Sequence, residues 1–224
     1  MNPMPDPRLQ RTRAASPHTP LSRLDLVLAA LAENQILLNQ DKAVPNVVGI
    51  LTGETLRASW WSHPRAHLIF AVLSQLADHP DVLFAKLLYG KDTLIHRPLW
   101  PAVLAVGLAR EPWQARGLSK SAKRLLGRLD REDDPVRATG APVRELDRRL
   151  LATTQEIHTE AGRHEMALES WRTWSARVRC RPAASVSKAR ELLEAAVTRL
   201  GAPLKALPWP VRGANRSGNP DRIE

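Results

Sequence analysis

Residues 118–152 read LSKSAKRLLGRLDREDDPVRATGAPVRELDRRLLA, and residues 153–168 continue TTQEIHTEAGRHEMAL. Leu118, Ala122, Leu125, Leu126 and Leu129 recur at helical spacing and predict one buried face over Leu118–Asp130. Lys120, Arg124 and Arg128 repeat every four residues on the other face, with Lys123 beside them. Ser119 is placed to cap this helix, since its hydroxyl can accept from the first free backbone N–H groups. An acidic linker, Arg131–Pro135, and a brief strand over Val136–Ala138 follow. A second helix over Pro142–Ala152 turns Val143, Leu146, Leu150 and Leu151 inward and Arg144, Arg148 and Arg149 outward. Thr153–Thr159 and Arg163–Leu168 flank Ala161-Gly162 and predict a hairpin. It runs into a helix carrying Ala167, Trp171, Trp174 and Val178 at helical spacing. Helix, helix, hairpin is the order of a winged helix-turn-helix, whose second helix can enter a major groove while the hairpin touches phosphate. The expected fold is α+β and mainly helical, with winged-helix-like units and short β-hairpins.

The N-terminal half has its own pattern. An apolar helix is expected over Leu21–Gln40, with Leu24, Leu28, Leu31 and Leu38 on one side. A short helix over Pro45–Gly53 and an amphipathic one over Pro64–Asp78 follow. Val82–Leu88 and Thr93–His96 flank Tyr89-Gly90-Lys91-Asp92 as a second hairpin, whose nearly unbroken apolar arms call for cover on both faces. Pro98 opens a helix to Ala109, and Ser187–Leu200 forms the last helix. The expected organisation is a disordered basic arm over 1–20, a helical part with a hairpin over 21–112, a winged-helix-like part with terminal helices over 113–207, and a disordered tail over 208–224. No internal repeat is visible in the residues.

Composition bounds the function. Of 224 residues, 43% are hydrophobic, enough for a packed core. Seven are Trp, which are costly to leave in water and are expected in cores or interfaces. The net charge of +10 favours a polyanionic partner. Half of it lies in residues 1–23 and 205–224, leaving about +5 for the part between. One cysteine, Cys180, excludes a disulfide framework within the chain and suits a reducing compartment. It sits among Arg177, Arg179 and Arg181, which could lower its pKa. The N-terminus lacks a signal-peptide pattern and no apolar run reaches about 20 residues, so the expected location is the cytoplasm, with no membrane partner.

Three constellations are candidate sites. The basic faces, Lys120, Lys123, Arg124 and Arg128 with Arg144, Arg148 and Arg149, are candidates for nucleic-acid binding. Glu145 and Asp147 lie among them, so a solvated face laced with ion pairs is the competing reading. The segment from Trp60 and Trp61 through His63 to His67 reads either as the wall of a pocket or as a loop pinned by its aromatics. His158-Thr159-Glu160 and His164-Glu165 could approach across the hairpin, but the spacing does not form a metal motif, and no metal is expected. There is no glycine-rich phosphate loop, no nucleophile elbow and no catalytic constellation, so neither a catalytic residue nor a cofactor is assigned.

Four blocks, Pro45–Gly53 (PNVVGILTG), Trp60–Pro64 (WWSHP), Lys86–Ile95 (KLLYGKDTLI) and Gly117–Lys123 (GLSKSAK), resemble in kind and order those of AlkZ-related bacterial proteins. These are winged-helix proteins distantly similar to the AlkZ DNA glycosylases. The resemblance spans residues 45–153 and implies a winged-helix architecture with a DNA partner. It carries over no catalytic residue. The glycosylases use a Gln-x-Gln or Gln-x-Asp signature, and here Gln35, Gln75, Gln114 and Gln155 stand apart. The expected function is therefore non-enzymatic DNA binding, in repair or regulation. Two rivals are an enzyme acting on damaged DNA or a nucleotide through the Trp–His loop, and an interaction scaffold, homo-oligomeric or otherwise.

Overall fold

The computed structural model describes residues 22–158 and 164–210, without the side chains of 155–158 and 164–166. The arm expected over 1–20 and the Ala161-Gly162 tip lie outside these residues.

The first unit begins with α1 (Arg23–Asn34), capped reciprocally by Ser22 and Asp25. Gln35 then turns into the left-handed region at φ 64°, and its N–H caps Leu31. The single helix expected to Gln40 therefore stops, and Ile36–Leu38 forms β1. The reason is tertiary: β1 is wholly buried and pairs antiparallel with a strand more than 50 residues away, through Ile36↔Ile95 and Leu38↔Thr93. Next come α2 (Val47–Thr52), closed by Gly53 at φ 77°, and α3 (Ala66–Ala77). The hairpin β2 (Val82–Leu88) and β3 (Lys91–His96) turns at Tyr89 and Gly90, both with positive φ. The sheet order is β1-β3-β2.

After α4 (Trp100–Leu108) and one turn of helix, α5 (Pro112–Ala115), the same plan recurs. It comprises α6 (Lys120–Leu129), β4 (Val136–Arg137), α7 (Ala141–Arg148) and the hairpin β5 (Thr153–His158) and β6 (His164–Glu169). The second sheet has order β4-β6-β5, again first, third, second. Both units are winged-helix-like. The second has a single helix, α7, where the first has α2 and α3. The repeat absent from the residues is present in the topology.

The chain ends with α8 (Trp171–Val178) and α9 (Val186–Arg199), which pack on α4 and so extend the first core rather than the second. Five of the seven Trp are buried, including Trp209 at 3% exposure. Trp209 thus belongs to the core and not to the tail expected from 208, and its Nε1 donates to Glu194 at 3.0 Å. The second unit keeps a small core of its own around Leu118, Ala122, Leu129, Val143, Leu146 and Leu168.

Besides contact between β2 and β5, two seams join the units. Trp171 donates from Nε1 to the carbonyl of Leu150 at 2.8 Å, and its ring lies where a Cβ on Gly107 of α4 would come within 2.5 Å. On the other side α7 packs on β2, and the aliphatic stem of Arg148 covers Gly90 at the first hairpin's turn.

Candidate nucleic-acid interface

On α6, Ser119 accepts from Ala122 N–H at 3.1 Å, as its position predicted. Leu118, Ala122 and Leu129 are buried while Lys120, Lys123, Arg124 and Arg128 are exposed. Arg128 is engaged by Glu132 one turn on, Nε to Oε1 2.7 Å. Lys120, Lys123 and Arg124 form no ion pair with the described residues. Arg131, exposed just past the helix end and eleven positions after Lys120, extends the same stripe. Sequence reasoning had assigned it to the linker.

The second helix is shorter than expected and its cations divide. Leu150 takes φ 51°, so the chain leaves the helix at Arg148 and does not run to Ala152. Arg144 and Arg148 are exposed. Arg149 does not face outward. Its Nη1 donates to the carbonyls of Trp113, Gln114 and Arg116, at 3.3, 3.2 and 2.5 Å. Gln114, fully buried, returns the bond by donating to the carbonyls of Arg149 and Leu150. Arg149 therefore closes the end of α5 and clasps α5 to α7.

The two acids that interrupt the basic run in sequence part ways: Glu145 stays half-exposed but is held at Ser119, and Asp147 is buried. Glu145 accepts from the backbone N–H and hydroxyl of Ser119, at 3.0 and 2.7 Å, at the N-terminus of α6. Those bonds hold its carboxyl below the usual range. Asp147 is buried between α7 and the first hairpin, at 6% exposure. Burial pushes its pKa up to about 6, with Asp92 adding to the rise and Lys86, Thr154 and Arg148 opposing it. Only its position on the inner side of the Arg144–Arg148 turn could have announced this role in sequence.

The Trp–His segment separates. Trp60 is buried. His63 is occupied at both nitrogens, Nε2 facing Glu54 at 3.1 Å and Nδ1 accepting from Arg65 N–H at 3.1 Å. These residues pin the loop. Trp61 stacks on Trp60 at 4.0 Å yet remains 63% exposed, and His67 is exposed on α3. None of the four lines the hollow of about 340 Å³ beside Asp41–Asn46, or that of about 260 Å³ between Glu111 and Arg190. The latter abuts a cluster that sequence reasoning missed, in which Arg190 binds Glu111 and lies over the Trp209 ring.

Across the second hairpin the backbone register sets His158 opposite His164. Among the described residues no group of three or more His, Cys, Asp or Glu could hold a metal ion. The Cys180 thiol is pushed up by burial, only partly opposed by Arg97, so the activation suggested by its arginine neighbours does not arise. Among the described residues no helix is long and apolar enough to cross a membrane. Comparison with protein-family models, curated proteins and solved structures gives no match.

Proposed function

We propose that this protein binds DNA without acting on it, through the outer faces of α6 and α7. The observation that carries the reading is the sorting of charge in the second unit. Lys120, Lys123, Arg124, Arg144 and Arg148 are exposed, while of the acids between them Asp147 is buried and Glu145 is held by Ser119 at the start of α6. An anion approaching Arg144 and Arg148 meets cations with the Asp147 carboxylate buried and the Glu145 carboxylate engaged by Ser119. The helix before a hairpin is also the one that winged units lay in a groove. At eight residues α7 is short, so phosphate contact from α6 carries most of the affinity.

The test is fluorescence-anisotropy titration of duplex DNA at several salt concentrations. The reading expects log affinity to fall linearly with log salt, with a slope of about −0.9 per phosphate neutralised. Lys120→Gln with Lys123→Gln and Arg124→Gln should flatten that slope by roughly two to three units if each meets one phosphate. An unchanged slope removes the assignment. The interaction-scaffold reading rests on a different surface, α3.

A further inference from the structure

In the first unit α3 occupies the place that α7 holds in the second, directly before the hairpin. Its inner side is ordinary core, with Ile69, Val72 and Leu76 buried. Its outer side is unusual. His67, Phe70, Ala71, Ser74, Gln75 and Asp78 are exposed, and from His67 to Ala77 the helix carries no Lys, Arg, Asp or Glu, in a chain that is 25% charged. Phe70 is 43% exposed and contacts Trp61, ring centroids 5.8 Å apart. Because Trp61 stacks on buried Trp60, the exposed indole is held in place from below. Rigid aromatics of this kind lose little freedom when covered and are typical anchors of protein interfaces. The absence of cations makes phosphate a poor occupant.

Two pairs of residues on this face are self-complementary, the small Ala71 and Ser74 and the His67 and Asp78 at its ends. Taken about the midpoint between Val72 and Leu73, Ala71 mirrors Ser74, Phe70 mirrors Gln75, and His67 mirrors Asp78. Two antiparallel copies of α3 would meet at their smallest side chains, which lets the helices approach closely. His67 of each would then reach the Asp78 carboxylate of the other, and the Phe70–Trp61 pairs would flank the centre. Asp78 also caps the C-terminal end of α3, where the helix dipole disfavours an anion, and it makes no ion pair with the described residues. An antiparallel mate sets the positive end of its own helix beside that carboxylate. We infer that the outer face of α3 is an isologous docking surface for a second copy of this chain.

Sedimentation velocity and light scattering of the full chain over a concentration series test this. The wild-type chain should pass from monomer to dimer. Ala71→Arg, at the centre of the face and away from the core, should raise the dimer dissociation constant by at least about tenfold. Its thermal melt at low concentration should match the wild type. His67→Asp or Asp78→His alone should weaken association several-fold, and the two together, which exchange the pair, should restore it. A wild-type chain that stays monomeric throughout overturns the proposal and leaves the face to some other partner. A dimer that Ala71→Arg leaves intact also overturns it, because association then runs through another surface.

Discussion

The two winged-helix-like units share an order of elements and a sheet topology, and they differ in what stands before the hairpin. The first has α3, long, uncharged and faced with Phe70 and Trp61. The second has α7, short and faced with Arg144 and Arg148. One plan of strands and helices thus presents an aromatic, cation-free surface in one unit and a cationic one in the other. The core pattern sets the plan, while a few exposed positions set the character of each surface. The units also differ in self-sufficiency. The first core recruits α4, α8, α9 and Trp209, whereas the second rests on a small cluster and on its seam with the first. The seam is where the comparison can be broken most severely.

Asp147 should produce the largest effect. Its folded pKa of about 6 lies above the ordinary 3.8. The stability it favours is therefore fully present below about pH 4 and is lost as pH rises through about 6. Two pKa units correspond to roughly 3 kcal/mol at most. Urea unfolding should show the wild type losing stability across this window, and Asp147→Asn should flatten the loss and be the more stable protein at pH 7.5. Parallel pH profiles for the two would contradict the burial. Next is Gly107→Ala, which forces the Trp171 ring from its seat and should cost about 1–3 kcal/mol by the same assay. No change there would mean the two cores are not locked through α8.

Arg148 and Arg149 sharpen the comparison, being neighbours with opposite roles. Arg149→Gln should cost about 1–2 kcal/mol of stability, because three carbonyls lose their donor, while leaving the DNA salt slope nearly unchanged. Arg148→Gln should lower DNA affinity by a few-fold and affect the melt less, because glutamine keeps the Cγ and Cδ that cover Gly90. Identical behaviour of the two variants would deny the division of α7 into an inward and an outward cation.

Much of this was legible in the residues. The period of Leu118–Leu129, the Ser119 cap and the Tyr89-Gly90 turn are local signals, and local signals survive folding. What was not legible depends on distant partners. Ile36–Leu38 follows the apolar run of α1 after only Glu33-Asn34-Gln35 and becomes a strand because Leu94 and Ile95 are there to pair with it. Arg149 follows the outward rhythm of Arg144 and Arg148 until Leu150 reverses its backbone and the α5 carbonyls receive the guanidinium. Trp209 sits in a Pro-rich, polar stretch that reads as a tail, yet α9 gives it a hydrogen-bond acceptor and a seat. The doubled topology left no trace in residue identity because two sheets can share an order while sharing only the apolar or polar character of their positions.

If the protein binds DNA as proposed, the cations of α6 and α7, and not the charged ends of the chain, hold it. The direct measurement is the salt slope of duplex binding by the full chain and by a variant with Lys120, Lys123, Arg124, Arg144 and Arg148 all changed to Gln. The arm and tail are the same in both proteins. The account predicts that the variant keeps its fold by circular dichroism and loses most of the slope, about four units if every side chain meets a phosphate. Equal slopes for the two proteins would place binding outside this face and contradict the account.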